Sequence, residues 1–264
     1  MNPSFFSYQS RNVAWYETGS GKPLLILHGW GSSSQVMWAM AQALSKGHNR
    51  RCILVDFPGF GKSEEPADAW DVGAYADMVK AFIKDQQLGG TDVLAHSFGG
   101  RVMLKIMAED PNKTLVGKVL LTGGAGMKPK RKLSFYYRKY LAKTLKAPFQ
   151  ILPNPLKEKG LEKLRQTALW KSLGSSDYKT LQGVMRQVFV KTVGEYLEDT
   201  LPKINHDVFL LWGENDDATP LYQAERMEKG IKNAALVKIE NAGHYAFLDQ
   251  PGKFNIIADA FFKG

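Results

Sequence analysis

A serine that attacks a carbonyl carbon needs a base to take its proton, a group to orient that base, and N–H donors for the oxyanion that forms. The stretch Ala95-His96-Ser97-Phe98-Gly99-Gly100 offers a place for such a serine. It follows the apolar run Asp92-Val93-Leu94-Ala95 and leads into the helical pattern Val102-Met103-Leu104-Lys105-Ile106-Met107. Strand, sharp turn and helix together lift a hydroxyl out of a sheet, provided that small residues flank the serine. Gly99 is one such residue, and Ala95 stands where the G-x-S-x-G pattern has its first glycine, adding one methyl at a crowded corner. Taken alone, the pentapeptide also fits a glycine-bearing turn that carries a surface serine.

Two distant segments supply partners. Val208-Phe209-Leu210-Leu211-Trp212-Gly213-Glu214-Asn215-Asp216-Asp217-Ala218-Thr219-Pro220 is an apolar strand running into an acidic turn closed by proline. Val237-Lys238-Ile239-Glu240-Asn241-Ala242-Gly243-His244-Tyr245 is a strand ending in a glycine and a histidine. Both put a polar side chain just past the carboxyl end of a strand, where open α/β sheets build their sites. A fourth segment, Leu24-Leu25-Ile26-Leu27-His28-Gly29-Trp30-Gly31, is a buried-strand run opening into a glycine-flanked loop that can aim a backbone N–H at an oxyanion.

The order Ser97, Asp216, His244 and the motifs around it resemble the α/β-hydrolase fold serine hydrolases that carry a helical cap. His28-Gly29-Trp30-Gly31 resembles that family's oxyanion loop, and Asp56-Phe57-Pro58-Gly59-Phe60-Gly61-Lys62-Ser63 its D-x-P-G-x-G-x-S turn. Trp212-Gly213-Glu214-Asn215-Asp216 resembles the turn with the family's acid, and Ala242-Gly243-His244 its histidine turn. The resemblance spans the chain except roughly 127–203. It implies Ser97 as nucleophile, His244 as general base and then acid, and Asp216 as orienting carboxylate. It also implies that the backbone N–H groups of Trp30 and Phe98 form the oxyanion hole.

Asp217 is the rival acid, although the family spacing from Trp212-Gly213 and to Pro220 favours Asp216. Glu214 reads as a solvated turn residue. Some relatives carry the acid after the strand before the cap, but Lys118-Val119-Leu120-Leu121-Thr122-Gly123-Gly124-Ala125-Gly126 contains none. His28 and His96 flank the proposed site and read as loop-holding residues, whereas His48 and His206 lie in polar connections.

The elements that must position these groups follow from alternating patterns. Strands are predicted at 12–17, 24–27, 52–55, 92–95, 118–122, 207–212 and 235–239, and helices at 36–46, 72–87, 99–109, 221–230 and 252–262. That alternation predicts an α/β fold with a mostly parallel central sheet flanked by helices. Continuous apolar strands fit a sheet covered on both faces. Residues 127–203 break the alternation with amphipathic helical patterns, so the expected organisation is a core of 1–126 and 204–264 with a helical cap at 127–203.

With 264 residues, 44% hydrophobic and 23% charged, the chain suits one catalytic domain with an insertion. The start lacks a signal-peptide pattern and no apolar run reaches a membrane span, so a cytoplasmic location is expected. Cys52 is the one cysteine and reads as a small buried strand residue, which excludes disulfides and cysteine-rich metal sites. No cofactor or metal is expected.

Charge is unevenly spread. Residues 127–203 carry 17 Lys and Arg against 6 Asp and Glu, a net of +11, while the remainder carries 18 against 20. In 128–146 there are eight basic residues and no acid. Helical spacing puts Leu133, Tyr136, Tyr137, Tyr140, Leu141 and Thr144 on one face, expected to pack, and Arg131, Lys132, Arg138, Lys139, Lys143 and Lys146 on the other. The cationic face is either a solubilising surface or a contact for an anionic carrier protein, an anionic lipid surface or a negatively charged substrate. Nucleic acid is not expected, because no nucleic-acid module accompanies the patch.

A small-molecule ester or thioester is the expected substrate. The serine argues against the relatives that use a carboxylate nucleophile. The carbon–carbon hydrolases of meta-cleavage products typically show Asn before the serine and Trp after the histidine, where this chain has His96 and Tyr245. The His28 loop, the Pro58-Gly59-Phe60-Gly61 turn and the basic cap are similar to the methyl esterases acting on pimeloyl chains held on acyl carrier protein. A slow-hydrolysing ligand-binding or signalling member of the fold is the alternative from another class.

Overall fold

The apolar runs form one sheet of β1 (Ser4–Tyr8), β2 (Arg11–Thr18), β3 (Lys22–Leu27), β4 (Arg50–Val55), β5 (Thr91–His96), β6 (Val116–Thr122), β7 (Val208–Gly213) and β8 (Ala234–Ile239). The computed structural model describes residues 1–131, 133–167, 169–170 and 181–263, with side chains for all of these except 47, 48, 134, 135, 138, 139 and 165. Strand order is β1-β2-β4-β3-β5-β6-β7-β8; β2 is antiparallel to β1 and β4, and all other pairings are parallel. Among the described residues the helices are α1 (Ser34–His48), α2 (Val72–Asp85), α3 (Phe98–Glu109), α4 (Leu133–Gln150), α5 (Asn154–Gln166), α6 (Gly183–Val193), α7 (Leu221–Gly230), α8 (Ala246–Asp249) and α9 (Pro251–Lys263). A 3-10 turn covers Glu198–Lys203. The fold is the expected α/β-hydrolase fold.

All seven predicted strands are present; β1 is an addition. It pairs with β2 through a two-residue turn in which Gln9 and Ser10 have φ of 49° and 59°. Such a turn usually advertises itself with Asn-Gly or a similar pair, and Gln-Ser gives no such signal.

Central strands β3 and β5 are buried on both faces from Leu24 to Leu27 and along the whole of Thr91–His96. The chain leaves β3 for β4 on one side and returns to β5 on the other, which opens a crevice at their carboxyl ends. The loop after β3 and the turn into α3 meet there.

Residues Met1–Lys128 with Gln187–Gly264 form one compact unit, and Pro129–Arg186 forms a second. The compact second unit thus covers 129–186, where the sequence predicts a cap of 127–203. Residues 187–203 cluster with the first unit because Leu197 N–H bonds to Gly126 O at 2.9 Å and the Glu198 carboxylate accepts Lys128 N–H at 2.7 Å. Arg101 of α3 donates to the Thr192 carbonyl, and Val188, Leu197 and Leu201 are buried.

Within the second unit, the half-buried residues Leu141, Ala142, Leu145 and Phe149 lie on one stripe of α4, and the Phe149 ring abuts Gly160 of α5. The face expected to pack is instead exposed at Leu133, Tyr136, Tyr137, Tyr140 and Thr144. Which face a helix buries depends on where its partner lies, and α5 lies along the other stripe. Of the predicted cationic face, Arg131 and Lys143 are exposed, and Lys146 is half-buried over the Trp170 ring at 5.0 Å. Lys132 and the side chains of Arg138 and Lys139 lie outside the described residues.

Asp56, buried at the end of β4, ties together the elements beneath the site. One carboxylate oxygen accepts Ser34 N–H at 2.7 Å at the start of α1, and the other accepts Lys62 N–H at 2.9 Å and the Tyr16 hydroxyl at 3.2 Å. Gly61 crosses the carboxylate at φ 56°, where a Cβ would collide with it. Asp56→Asn turns one acceptor oxygen into a donor that faces a donor, which costs about 1–3 kcal/mol for the group left unpaired. The expected result is a melting temperature lower by roughly 2–9 °C in a thermal denaturation monitored by circular dichroism.

Candidate active site

Ser97 stands between β5 and α3 with φ 51° and ψ −109°, outside the regions ordinary residues adopt. Four backbone hydrogen bonds hold it there. Ser97 N–H donates to Thr122 O at 3.1 Å, and Ser97 O accepts Ala125 N–H at 2.9 Å and Arg101 N–H at 3.2 Å. Gly99 N–H donates to His28 O at 3.0 Å, and a Cβ on Gly99 would lie 2.7 Å from Leu27 O, so only glycine allows α3 to start this close to β3. Ala95, the departure from the glycine pattern, is fully buried in β5 opposite Leu27 and Leu121 and is accommodated there.

Ser97 Oγ is 3.0 Å from His244 Nε2, and His244 Nδ1 is 2.9 Å from Asp216 Oδ2. Three residues separated by 147 and 28 positions thus form one hydrogen-bonded chain. The carboxylate next to Nδ1 fixes the tautomer: Nδ1 carries the proton and Nε2 is free to accept from Ser97. Asp217, the rival acid, is exposed and does not take this position.

Asp216 is buried, which by itself would raise its pKa. The bond and charge of His244, with Thr219 N–H at 2.8 Å and the Thr219 hydroxyl at 2.9 Å, outweigh burial and hold the carboxyl below its ordinary value. Ala218 N–H adds a third donor at 3.0 Å. Thr219 was not among the residues singled out from sequence. Its hydroxyl lies within 2.9 Å of both Asp216 and Gly123 O and 3.4 Å from His244 Nδ1, so it borders the acid and the histidine together. The signal available was the D-x-x-T spacing, typical of a side chain capping its own turn.

Trp30 lies in the loop after β3, and Phe98 is the first residue of α3, where a backbone N–H has no partner within the helix. Their rings meet at 5.4 Å, and Trp30 also contacts Phe60 at 4.9 Å and Phe189 at 5.2 Å. An aromatic wall therefore lies beside the turn that carries Ser97, on the side of the loop after β3.

His28 and His96 hold loops, each in a definite way. His28 accepts Phe57 N–H on Nε2 at 2.9 Å and donates from Nδ1 to Gly29 O at 2.7 Å. In a trans peptide the N–H points opposite to the C=O, so this bond also sets the direction of Trp30 N–H. His96 donates from Nε2 to the His244 carbonyl at 3.0 Å, and its ring lies 4.7 Å from the His244 ring and 4.8 Å from Tyr245. Burial, with His244 adding to it, pushes the His96 pKa down to about 3, and burial pushes that of His28 down as well. Burial thus favours the neutral form of both imidazoles, which leaves the Asp216 carboxylate without a competing cation. Among the described residues, no cluster of His, Cys, Asp and Glu could hold a metal ion.

Comparison with known proteins agrees with this architecture. Residues 22–251 match the family model of the alpha/beta hydrolase fold. The chain is 26% identical over 257 residues to the pimeloyl-[acyl-carrier protein] methyl ester esterase of Nitrosomonas europaea, covering 92% of this chain and 96% of that one. It is 24% identical over 261 residues to the 2-hydroxymuconate semialdehyde hydrolase of a Pseudomonas species, covering 93% and 88%. The solved structure of an esterase from Exiguobacterium antarcticum superposes with a TM-score of 0.76 at 26% identity, covering 99% of each chain.

His96 yields two predictions. Its folded pKa lies below its unfolded value near 6.5, so between about 6.5 and 3 the unfolded chain binds the proton and the folded chain does not. Stability is complete above pH 6.5 and falls on acidification, by up to about 1.4 kcal/mol per pH unit for this one group. Urea titrations across that window should show a shallower loss for His96→Gln than for the wild type. In activity, His96→Gln keeps an N–H for the His244 carbonyl and should stay within several-fold of wild type. His96→Phe keeps the ring without the donor and should lower kcat at nearly unchanged KM.

The hydrogen-bonded Ser97, His244 and Asp216 at the strand ends and the match over 22–251 lead to one conclusion: the chain belongs to the alpha/beta hydrolase fold family.

Proposed function

We propose that the protein is a serine hydrolase that cleaves a carboxylic ester or thioester through an acyl-serine intermediate. The observation that carries this reading is the relay from Ser97 Oγ to His244 Nε2 at 3.0 Å and from His244 Nδ1 to Asp216 at 2.9 Å, set on a strained turn. Ser97 Oγ attacks the carbonyl carbon while its proton passes to His244 Nε2. Asp216 stabilises the imidazolium that results, and the N–H groups of Trp30 and Phe98 receive the oxyanion. Collapse of the tetrahedral intermediate breaks the bond to the alcohol or thiol, which leaves with the proton from His244. Water, deprotonated by His244, then attacks the acyl-Ser97 carbonyl by the same route and releases the acid.

The aromatic wall of Trp30, Phe60 and Phe189 supports a substrate with an apolar portion beside the carbonyl. The alpha/beta hydrolase relatives named above include both ester and semialdehyde hydrolases, and His96 with Tyr245 in place of Asn and Trp favours the ester. The helices of 129–186 would serve as the cap.

A panel of p-nitrophenyl acyl esters of increasing chain length, with a fluorophosphonate probe, tests the reading. Ser97→Ala should lose essentially all turnover and all labelling. Asp216→Asn should lose about 10⁴-fold in kcat, the effect of removing the orienting acid in a chymotrypsin-type triad, while Asp217→Asn stays near wild type. Probe attached to another residue, or turnover of a meta-cleavage dienoate with no ester hydrolysis, would overturn it.

A further inference from the structure

We propose that the unit of residues 129–186 docks on an anionic lipid surface, with the exposed stripe of α4 entering the headgroup region. Two features of that unit coincide. The first is charge: 129–186 holds 14 Lys and Arg against 3 Asp and Glu, a net of +11, while the other unit carries 21 against 23. The whole cationic excess of the protein lies in these residues, so attraction to an anionic surface would act on this unit alone.

The second is exposed apolar side chains where the charge is concentrated. Leu133 is 87% exposed, Tyr137 71%, Tyr140 66% and Ile151 86%, and Tyr136 and Leu156 are exposed too. Leu133, Tyr136, Tyr137 and Tyr140 follow i, i+3, i+4, i+7 spacing and share one face of α4, while Leu141, Ala142, Leu145 and Phe149 occupy the half-buried stripe. Lys130, Arg131 and Lys143 of the same unit are exposed as well. A surface that only keeps a protein soluble needs the cations and not the leucine, isoleucine and tyrosines. Tyrosine suits a membrane interface, with its ring in the acyl boundary and its hydroxyl among headgroups.

The distribution favours a lipid surface over a protein carrier. The exposed apolar residues run from Leu133 at the start of α4 to Ile151 just past its end, and the 18 residues of α4 rise roughly 27 Å. A continuous surface meets such a length evenly, whereas a small acidic carrier offers its apolar contact at one place. Among the described residues no helix is long and apolar enough to cross a membrane, so the contact is interfacial.

The test needs no substrate and so stands apart from the proposed esterase activity. The full chain is co-sedimented with phosphatidylcholine vesicles and with vesicles of phosphatidylcholine plus phosphatidylglycerol. Binding should require the anionic lipid and weaken as salt rises from 0.15 to 1 M, where the Debye length shrinks from ~8 to ~3 Å. Lys130→Glu/Arg131→Glu/Lys143→Glu should weaken it by about fivefold or more per cation. Tyr137→Ser/Tyr140→Ser/Ile151→Ser should weaken it at unchanged charge, with folding checked by circular dichroism and thermal melting; Tyr137→Ser alone serves if the triple variant does not fold. No binding to anionic vesicles at low salt would overturn the proposal. So would binding that the apolar variants leave intact, vesicle indifference alongside tight binding of an acidic acyl carrier protein, or a dimer that buries the α4 stripe.

Discussion

The backbone at Ser97 is held in a conformation that costs an isolated residue about 1–3 kcal/mol, and everything else at the site is arranged around it. The cost is met by the sheet. Thr122 at the end of β6 takes the Ser97 N–H, and the loop at 123–126 donates back through Ala125. His28 at the end of β3 takes the Gly99 N–H. Each bond ties the turn to a neighbouring strand, so the serine oxygen is fixed by three parallel strands rather than by its own loop. The same strand ends carry the loop of Trp30 and, through β7 and β8, Asp216 and His244.

Electrostatics follows from that geometry. The Asp216 carboxylate is buried and remains ionised because three hydrogen-bond donors and His244 face it. Two other imidazoles lie close to the serine, and a second cation there would compete for that carboxylate. Burial keeps both neutral, and each spends its proton on a backbone carbonyl: His28 on Gly29 and His96 on His244. Neutral histidines at these positions therefore serve as rigid, aromatic donors that also fill space against Phe57, Phe60, Tyr245 and Phe247.

The second unit obeys different physics. The unit that contains the sheet is nearly neutral and buries its apolar residues against a sheet covered on both faces. The 129–186 unit is short and strongly cationic, and among its described residues several large apolar side chains are exposed. Two helices of the size of α4 and α5 have too little interior between them to enclose every apolar side chain that an amphipathic pattern supplies.

Local signals in the sequence determined much of this protein. Apolar runs and turn residues operate over about ten positions, so seven strands, the parallel α/β class and the placement of Ser97, Asp216 and His244 at strand ends could be read directly. Tertiary structure decided what depends on partners distant in the chain. That Asp216 rather than Asp217 faces His244 depends on a turn closed by the Ala218 and Thr219 N–H groups against β8's loop. The role of Thr219 and the clustering of 187–203 with the first unit rest likewise on long-range hydrogen bonds, whereas the local pairing of β1 escaped notice because its Gln-Ser turn gives no signal. The exposed face of α4 is the clearest case: periodicity showed that Leu133, Tyr136, Tyr137 and Tyr140 share one side, but the position of α5 settled which side is buried.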